Sequence, residues 1–476
     1  MLEVRLLGPA PGPPERQGAA MRAFTLGQAA TVALFVGGAI TLGVADFDLL
    51  TTVIHRTLWW GFLIGCLWRL ACLALSASSR HPEPPPASRL PFYSLLVAVR
   101  HEAAMAAQLI DHLRAIDYPP DRIEALILVE ADDPETMEAM LRAGPPPWMQ
   151  VRIVPPGAPR TKPRALNHGL GWCRGELVVV YDAEDRPDPL QLREAAARFA
   201  ASDQRLACLQ APLRIRPSAG LVGRQFRAEY AALFESALPA LARLRMPLPL
   251  GGTSNHFRRE ALEAVRGWDP YNVTEDADMA FRLYAHGYRI GMISRPTWES
   301  PPEDLSAWLP QRARWLKGFV QTLGVHTREP SRLGVRGMTA LLLTLGQTTA
   351  TALAYALALA WAAAALLTSL LAGVVPMIPP TDLALLVFGY VTAITISVTA
   401  CRRIGVAYDL RDALLAPAYW CLMTVAMVHA LWQLGRKPFH WDKTEHRPDL
   451  PPSVDGVGLR RLDESGAAAY LGVDHA

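Results

Sequence analysis

Two kinds of hydrophobic pattern alternate along this chain and divide it into three parts. Phe24–Val44 and Val53–Ser76 are nearly continuous apolar runs, each close to the about 20 residues that cross a bilayer as a helix. The first lacks a small-residue cleavage site, so it predicts a retained span rather than a secretory leader. A third, overlong run goes from Met338 to about Val375, a fourth covers Asp382–Ala400, and a weaker fifth covers Ala413–Leu434. Between the second and third runs the pattern changes to short apolar strands alternating with amphipathic helices. Strands are expected at Phe92–Val99, Ala125–Val129, Val151–Val154, Leu177–Tyr181 and Leu206–Leu213. Helices are expected at Glu102–Ile116, from Pro189 to about Ala201, and at Arg224–Leu244, Ala277–His286 and Trp308–Thr322. Such alternation predicts an α/β domain on a doubly wound sheet, set between membrane helices.

Charge gives these parts a direction. The link between the first two runs holds Asp46 and Asp48 and no base, whereas Arg22 and Arg80 flank the pair. Arg328, Arg332 and Arg336 precede the third run, and Arg402, Arg403 and Arg411 follow the fourth. Excess positive charge stays in the cytoplasm, which puts the N-terminus and the α/β domain there. The fifth run contains His429 and Gln433 and is followed by Arg436, Lys437 and Lys443. A crossing would carry those bases outside, so a helix lying in the interface or re-entering is expected, unless the overlong third run crosses twice. The expected division is a disordered arm over 1–22, two transmembrane helices over 23–77, a Pro-rich linker over 78–91 and the α/β domain over 92–327. A membrane region over 328–434 and a cytoplasmic, partly disordered segment over 435–476 complete it.

Composition agrees with a membrane protein. Over 476 residues 51% are apolar, and the formal charge is only +3. So small a net charge argues against a nucleic-acid partner. Six cysteines without a CxxC pair predict neither disulfides nor structural zinc.

Chemistry concentrates in three places. Leu177–Asp188 is a buried strand that ends abruptly in Asp182, Glu184 and Asp185, at the edge where open α/β sheets bind ligands. Three acids in four residues repel one another; a divalent cation relieves them, and so does plain solvation in a turn before a helix. Thr274, Glu275, Asp276 and Asp278 open a helix whose capping needs the threonine and one acid, not three. Gln311, Arg314 and Trp315 share one helical face. Guanidinium pairs with phosphate and indole stacks on sugar rings, although a surface helix with a half-buried Trp has the same pattern.

Taken in order, Glu130/Asp132/Asp133, Asp182-x-Glu184 with Asp185, Thr274-Glu275-Asp276 and Gln311-x-x-Arg314-Trp315 resemble the D, DxD, TED and QxxRW series of membrane-bound family 2 glycosyltransferases. These are enzymes of the cellulose synthase and hyaluronan synthase type, and bacterial exopolysaccharide synthases above all. The resemblance implies a GT-A type, Rossmann-like cytosolic domain inserted between transmembrane helices in the bacterial inner membrane. It also implies a nucleotide-sugar donor, a UDP-sugar by preference, and Mg²⁺ or Mn²⁺. The implied reaction is inverting transfer to a growing β-linked glycan acceptor, processive and coupled to secretion. Glu130 would accept the nucleobase N–H, with Asp132 and Asp133 beside it. Asp182 would face the ribose or diphosphate, and Glu184 would hold the metal, with Asp185 as its competitor.

Asp276 would be the general base, next to Thr274 and Glu275, and Gln311, Arg314 and Trp315 would hold the diphosphate and the acceptor end. Lys162, Asn167 and the Gly251–Asn255 turn with Arg258 match donor-pocket positions, and His101-Glu102 matches the family's usual Asn-Glu. The few spans leave room for accessory export subunits. Two other functions are to be weighed: transfer of one sugar to a lipid carrier, and a non-catalytic transport or scaffold subunit.

Overall fold

The computed structural model describes residues 20–22, 24–77, 89–302, 304–373, 379–441 and 448. Most of the arm expected over 1–22, most of the linker over 78–91 and most of the C-terminal segment over 435–476 lie outside the described residues.

Helix α1 (Leu26–Ala45) and helix α2 (Phe47–Ser76) are separated by Asp46 alone. The expected polar link of eight residues is therefore absorbed into α2, because the Asp46 carboxylate accepts the Leu49 N–H at 2.9 Å and caps the helix. Asp48 then lies in its first turn, where the helix dipole favours an acid.

The α/β domain follows in the order β1 (Tyr93–Val99), α3 (Ala106–Arg114), β2 (Ile123–Glu130), α4 (Pro134–Arg142), β3 (Met149–Val154), α5 (Lys162–Leu170) and β4 (Leu177–Tyr181). Next come β5 (Arg186–Pro187), α6 (Gln191–Ala200), β6 (Leu206–Gln210), β7 (Leu213–Ile215), α7 (Leu221–Ala232), α8 (Leu238–Arg243), β8 (Asn255–Arg258) and α9 (Arg259–Ala264). The domain closes with α10 (Glu275–Ala285), β9 (Arg289–Met292), β10 (Thr297–Glu299) and α11 (Leu305–His326). Among the described residues the main sheet runs β3-β2-β1-β4-β8-β6-β9 and a small sheet runs β5-β10-β7. Strands β3, β2, β1 and β4 are parallel, while β8 is antiparallel to both neighbours. This mixed α/β sheet is the GT-A type arrangement expected. Parallel strands are buried on both faces, which is why β4 reads as an unbroken apolar run and β1 is broken by Ser94 alone.

Two expected elements divide. The strand expected over Leu206–Leu213 becomes β6 and β7, in different sheets, because Pro212 has no N–H for a ladder and its carbonyl instead accepts from Thr297 at 2.9 Å. The helix expected over Arg224–Leu244 is interrupted by a π-turn at Leu233–Ala237, which frees the backbone acceptor that Pro239 cannot serve.

Beyond α11 come α12 (Pro330–Leu341), α13 (Gln347–Leu371), α14 (Pro380–Arg403) and α15 (Leu410–Arg436). The overlong run begins eight residues earlier than its hydropathy suggests, at Pro330; Gly334 (φ 58°) kinks it and a π-turn at Leu342–Gly346 interrupts it. By length and composition five helices among the described residues could cross a membrane, with α12 and α13 as one run and α15 included. Yet α15 touches the α/β domain at both ends. Asp409 and Asp412 receive Arg224 of α7 at 3.0 and 2.5 Å, and Gln433 receives the buried Lys317 of α11 at 2.8 Å.

Candidate active site

The C-terminal ends of β1, β2 and β4 open onto a cavity of about 1000 Å³. Lys162 opens α5, and its Nζ pairs with Asp182 and donates to the Gly252 carbonyl at 2.8 Å. Gly252 sits at φ +82°, and a Cβ there would lie 3.1 Å from Asp276 Oδ2. This turn therefore favours glycine for its backbone, and it runs close against Asp276. One short contact chain thus joins the acids after β4, the start of α5 and the start of α10.

The acids of α10 are fixed from α11. Gln321 accepts the Val273 N–H at 3.1 Å, Thr322 accepts from Asn272 at 2.9 Å, and Asn272 in turn accepts the Thr274 N–H at 3.0 Å. A Cβ on Gly318 would collide with Thr274, so the two helices meet at closest approach there. On the same α11 Arg314 lies 4.4 Å from the Trp441 ring centre. Glu130, Lys162, Asp182, Glu184, Thr274, Glu275, Asp276, Gln311, Arg314 and Trp315 all line the cavity. The four separated motifs of the sequence converge on it.

Electrostatics mark the same corner. Burial pushes Glu275 up to about 8, and the neighbouring Asp276 charge adds to the effect. Burial also raises Asp276, against the Ala277 N–H that it accepts at 2.8 Å. Burial would lower Lys162, but Asp182 and Glu275 hold its ammonium charged. Glu299, on β10, was not singled out in the sequence; it lines the cavity, and burial with the charges of Asp185, Glu184 and Asp182 raises it well above its ordinary value. One lone glutamate in a three-residue strand carries no sequence signal.

Four expected residues have other work. Asp133 caps α4, accepting Thr136 N–H at 3.2 Å and His101 N–H at 2.5 Å; burial opposes its charge, yet these donors hold its carboxyl below the usual range. Asp132 pairs at the surface with Arg160 and Arg100. Asn167 clasps Trp268, donating to its carbonyl at 2.7 Å and accepting its N–H at 2.8 Å, which sets the loop before α10. Asp185 is buried beneath the turn, taking the Asp182 N–H at 2.7 Å and the Thr253 hydroxyl. Of the acids weighed as metal ligands, Asp182 and Glu184 line the cavity while Asp185 braces their loop. At the expected base pocket, Glu130 pairs with Arg164.

Among the described residues no three His, Cys, Asp or Glu groups are gathered closely enough to hold an ion by themselves. The corner nonetheless suits a cation. Asp185 Oδ1 and Glu275 Oε2 are buried oxygens without a hydrogen-bond partner. A divalent ion of the Mg²⁺ kind commonly takes one or two carboxylates and completes its shell with substrate phosphates.

The cavity continues past Trp315 among the membrane helices. Thr344, Gln347, Thr348, Thr351 and Tyr355 line it, at a spacing that keeps them on one face of the α13 run. Gln347 is pressed on α2, where a Cβ at Gly65 would collide with its amide. Phe62, Leu359, Leu386 and Ile396 add apolar walls.

Similarity to known proteins covers part of this region. A family described as glycosyl transferase family group 2 matches residues 177–428, more than half of the chain. A β-monoglucosyldiacylglycerol synthase of Synechocystis sp. is 29% identical over 286 residues, 56% of this chain and 58% of that protein. The cellulose synthase catalytic subunit (UDP-forming) of Komagataeibacter sucrofermentans is 26% identical over 216 residues, 44% of this chain and 28% of that one. The match thus spans less than two thirds of either relative. Among solved structures, a mannosyltransferase from Pyrobaculum calidifontis in complex with GDP-Man and Mn²⁺ is similar with a TM-score of 0.49 and 17% identity, over 77% of this chain and 98% of that one.

Proposed function

The chain belongs to glycosyl transferase family group 2, and we propose that it transfers a sugar from a UDP-sugar, with inversion, to the end of a growing β-linked glycan held partly among its membrane helices. The observation that carries this reading is the single cavity that links the acid and cation corner to the hydroxyl and amide face of α13. Polar groups inside a bilayer are costly unless a polar partner meets them, and a glycan offers hydroxyls along its whole length.

The chain's own residues account for a direct displacement. Asp276 takes the proton of the attacking acceptor hydroxyl while the hydroxyl oxygen bonds to the anomeric carbon and the bond from that carbon to the diphosphate oxygen breaks. A raised pKa makes Asp276 a stronger base than an exposed aspartate. Lys162 and Arg314 hold the departing diphosphate and stabilise its charge. Asp182 and Glu184 would hold Mg²⁺ or Mn²⁺ against the donor phosphates, and that ion supplies Lewis-acid neutralisation of the leaving charge. Trp315 offers its ring to the acceptor's terminal sugar. Helix α15, anchored to α7 and α11 at its two ends, lies along the cytoplasmic interface, which keeps Arg436 and Lys437 inside with the α/β domain.

The test is to incubate membranes carrying the protein with radiolabelled UDP- and GDP-sugars and to separate the products by ethanol precipitation and organic extraction. Label in an ethanol-insoluble, β-linked polymer is expected. A second reading, one sugar moved to a lipid, is favoured by the apolar walls at Leu359, Leu386 and Ile396 and by similarity to a glucosyldiacylglycerol synthase. It predicts label in the organic phase instead. Label in neither fraction with any donor sinks both.

A further inference from the structure

Beside the site lies a cluster to which transfer as described gives no role. Arg312, inside the Gln311–Trp315 motif, is 4% exposed. Its two terminal nitrogens donate to Glu229 of α7 at 2.6 and 2.9 Å, and one of them also reaches the Tyr419 hydroxyl of α15 at 3.3 Å. Tyr419 donates to Glu229 at 2.9 Å and accepts the Trp308 indole N–H at 3.0 Å. The same guanidinium lies 4.5 Å from the ring centre of Trp315. Phe226 and Tyr230 of α7 lie 6.0 and 6.2 Å from that ring. Glu229, Tyr230, Arg312, Trp315 and Tyr419 all line the cavity.

Three elements thus meet at one guanidinium, which in turn lies against the Trp315 indole. A bidentate carboxylate fixes the plane of a guanidinium, which a lysine ammonium in the same place could not share. A fixed, planar cation then backs the ring of Trp315. Ordering that ring beforehand spares the acceptor the cost of ordering it on binding.

We propose that Arg312 and Tyr419 are positioning residues for the acceptor: the Tyr419 hydroxyl locks the Glu229–Arg312 pair, and the locked guanidinium holds the Trp315 ring toward the acceptor's terminal sugar. This rests on the glycan-transfer reading above. It makes α15, about 100 residues downstream of the motif helix, part of the acceptor platform, and it leaves the donor half of the site untouched.

The experiment uses the full chain in detergent micelles with UDP-glucose as donor and cellotriose as acceptor, UDP-N-acetylglucosamine and GDP-mannose serving as alternative donors. It compares elongation of cellotriose with hydrolysis of the donor by water, and measures UDP affinity by displacement. Tyr419→Phe is expected to lower the ratio of elongation to hydrolysis about tenfold, with acceptor KM raised, while hydrolysis and UDP affinity stay at the wild-type level. Arg312→Lys is expected to behave alike. Glu229→Gln, an isosteric change at a half-exposed side chain, carries the test if the others fail to accumulate. If elongation and hydrolysis fall together, or neither moves, the positioning role is overturned while the proposed function stands. A wild-type protein that turns over none of the three donors defeats the proposed function itself.

Discussion

The acid corner and the α7–α11–α15 seam lie side by side on one cavity and are built on opposite terms. In the seam the main charges have protein partners: Arg312 has Glu229, Arg224 has Asp412, and Lys317 has Gln433 and the His440 carbonyl. In the corner Asp182, Glu184, Asp185, Glu275, Asp276 and Glu299 crowd around Lys162, and three of them are pushed upward partly by one another's charge. Two oxygens there, Asp185 Oδ1 and Glu275 Oε2, are buried without a hydrogen-bond partner; such atoms are costly, so a fold that keeps them is set up for a ligand to meet them. The seam is finished on its own; the corner is completed by what binds there.

The sharpest way to break that contrast is Asp276→Asn. The change keeps shape and removes the proposed base, so transfer is expected to fall by at least about 10²–10⁴-fold, while UDP affinity stays near the wild-type value. Turnover and UDP binding measured on the same preparation check both halves, and a variant with normal turnover sinks the base assignment. Next in size is removal of divalent metal. Excess EDTA is expected to lower transfer on the order of 10²-fold and to weaken UDP binding, both restored by Mn²⁺ or Mg²⁺. Unchanged UDP affinity in EDTA means that Lys162 and Arg314 carry the diphosphate alone.

How much of this was legible in the sequence depended on whether a residue's role is local. The strand ends and the helix faces are periodic features, so β1, β2, β4, α10 and α11 were readable within a few residues, as was an α/β sheet; its GT-A type followed from the resemblance that the order of the motifs carries. Roles set by distant contacts were not. Asp133 and Asn167 have the residue types of a donor pocket, but what they touch, the first turn of α4 and the Trp268 backbone, is decided by packing. Glu299 and Tyr419 enter the cavity from a three-residue strand and from the middle of an apolar helix, neither of which carries a chemical pattern. Asp46 shows the converse: a single capping side chain shortened an expected loop, because local capping outweighed the polar composition around it.

The smallest expected effect sharpens the same contrast from the side of stability. Glu275 has an ordinary value of 4.5 and is held at about 8, by burial first and by Asp276 second. Its charged form is thus disfavoured in the fold relative to the unfolded chain. The proton it retains stabilises the fold fully below about pH 4.5, and that contribution is lost as pH rises toward 8. Without ligand, the unfolding temperature of the wild-type protein should therefore decline between pH 5 and pH 8 more steeply than that of Glu275→Gln, and the variant should be the more stable at pH 8, on the order of 2–4 °C. Scans of both proteins in one detergent across that range make the measurement. Parallel curves would mean that Glu275 is already answered in the free protein, and the corner would then differ from the seam less than its crowding of acids implies.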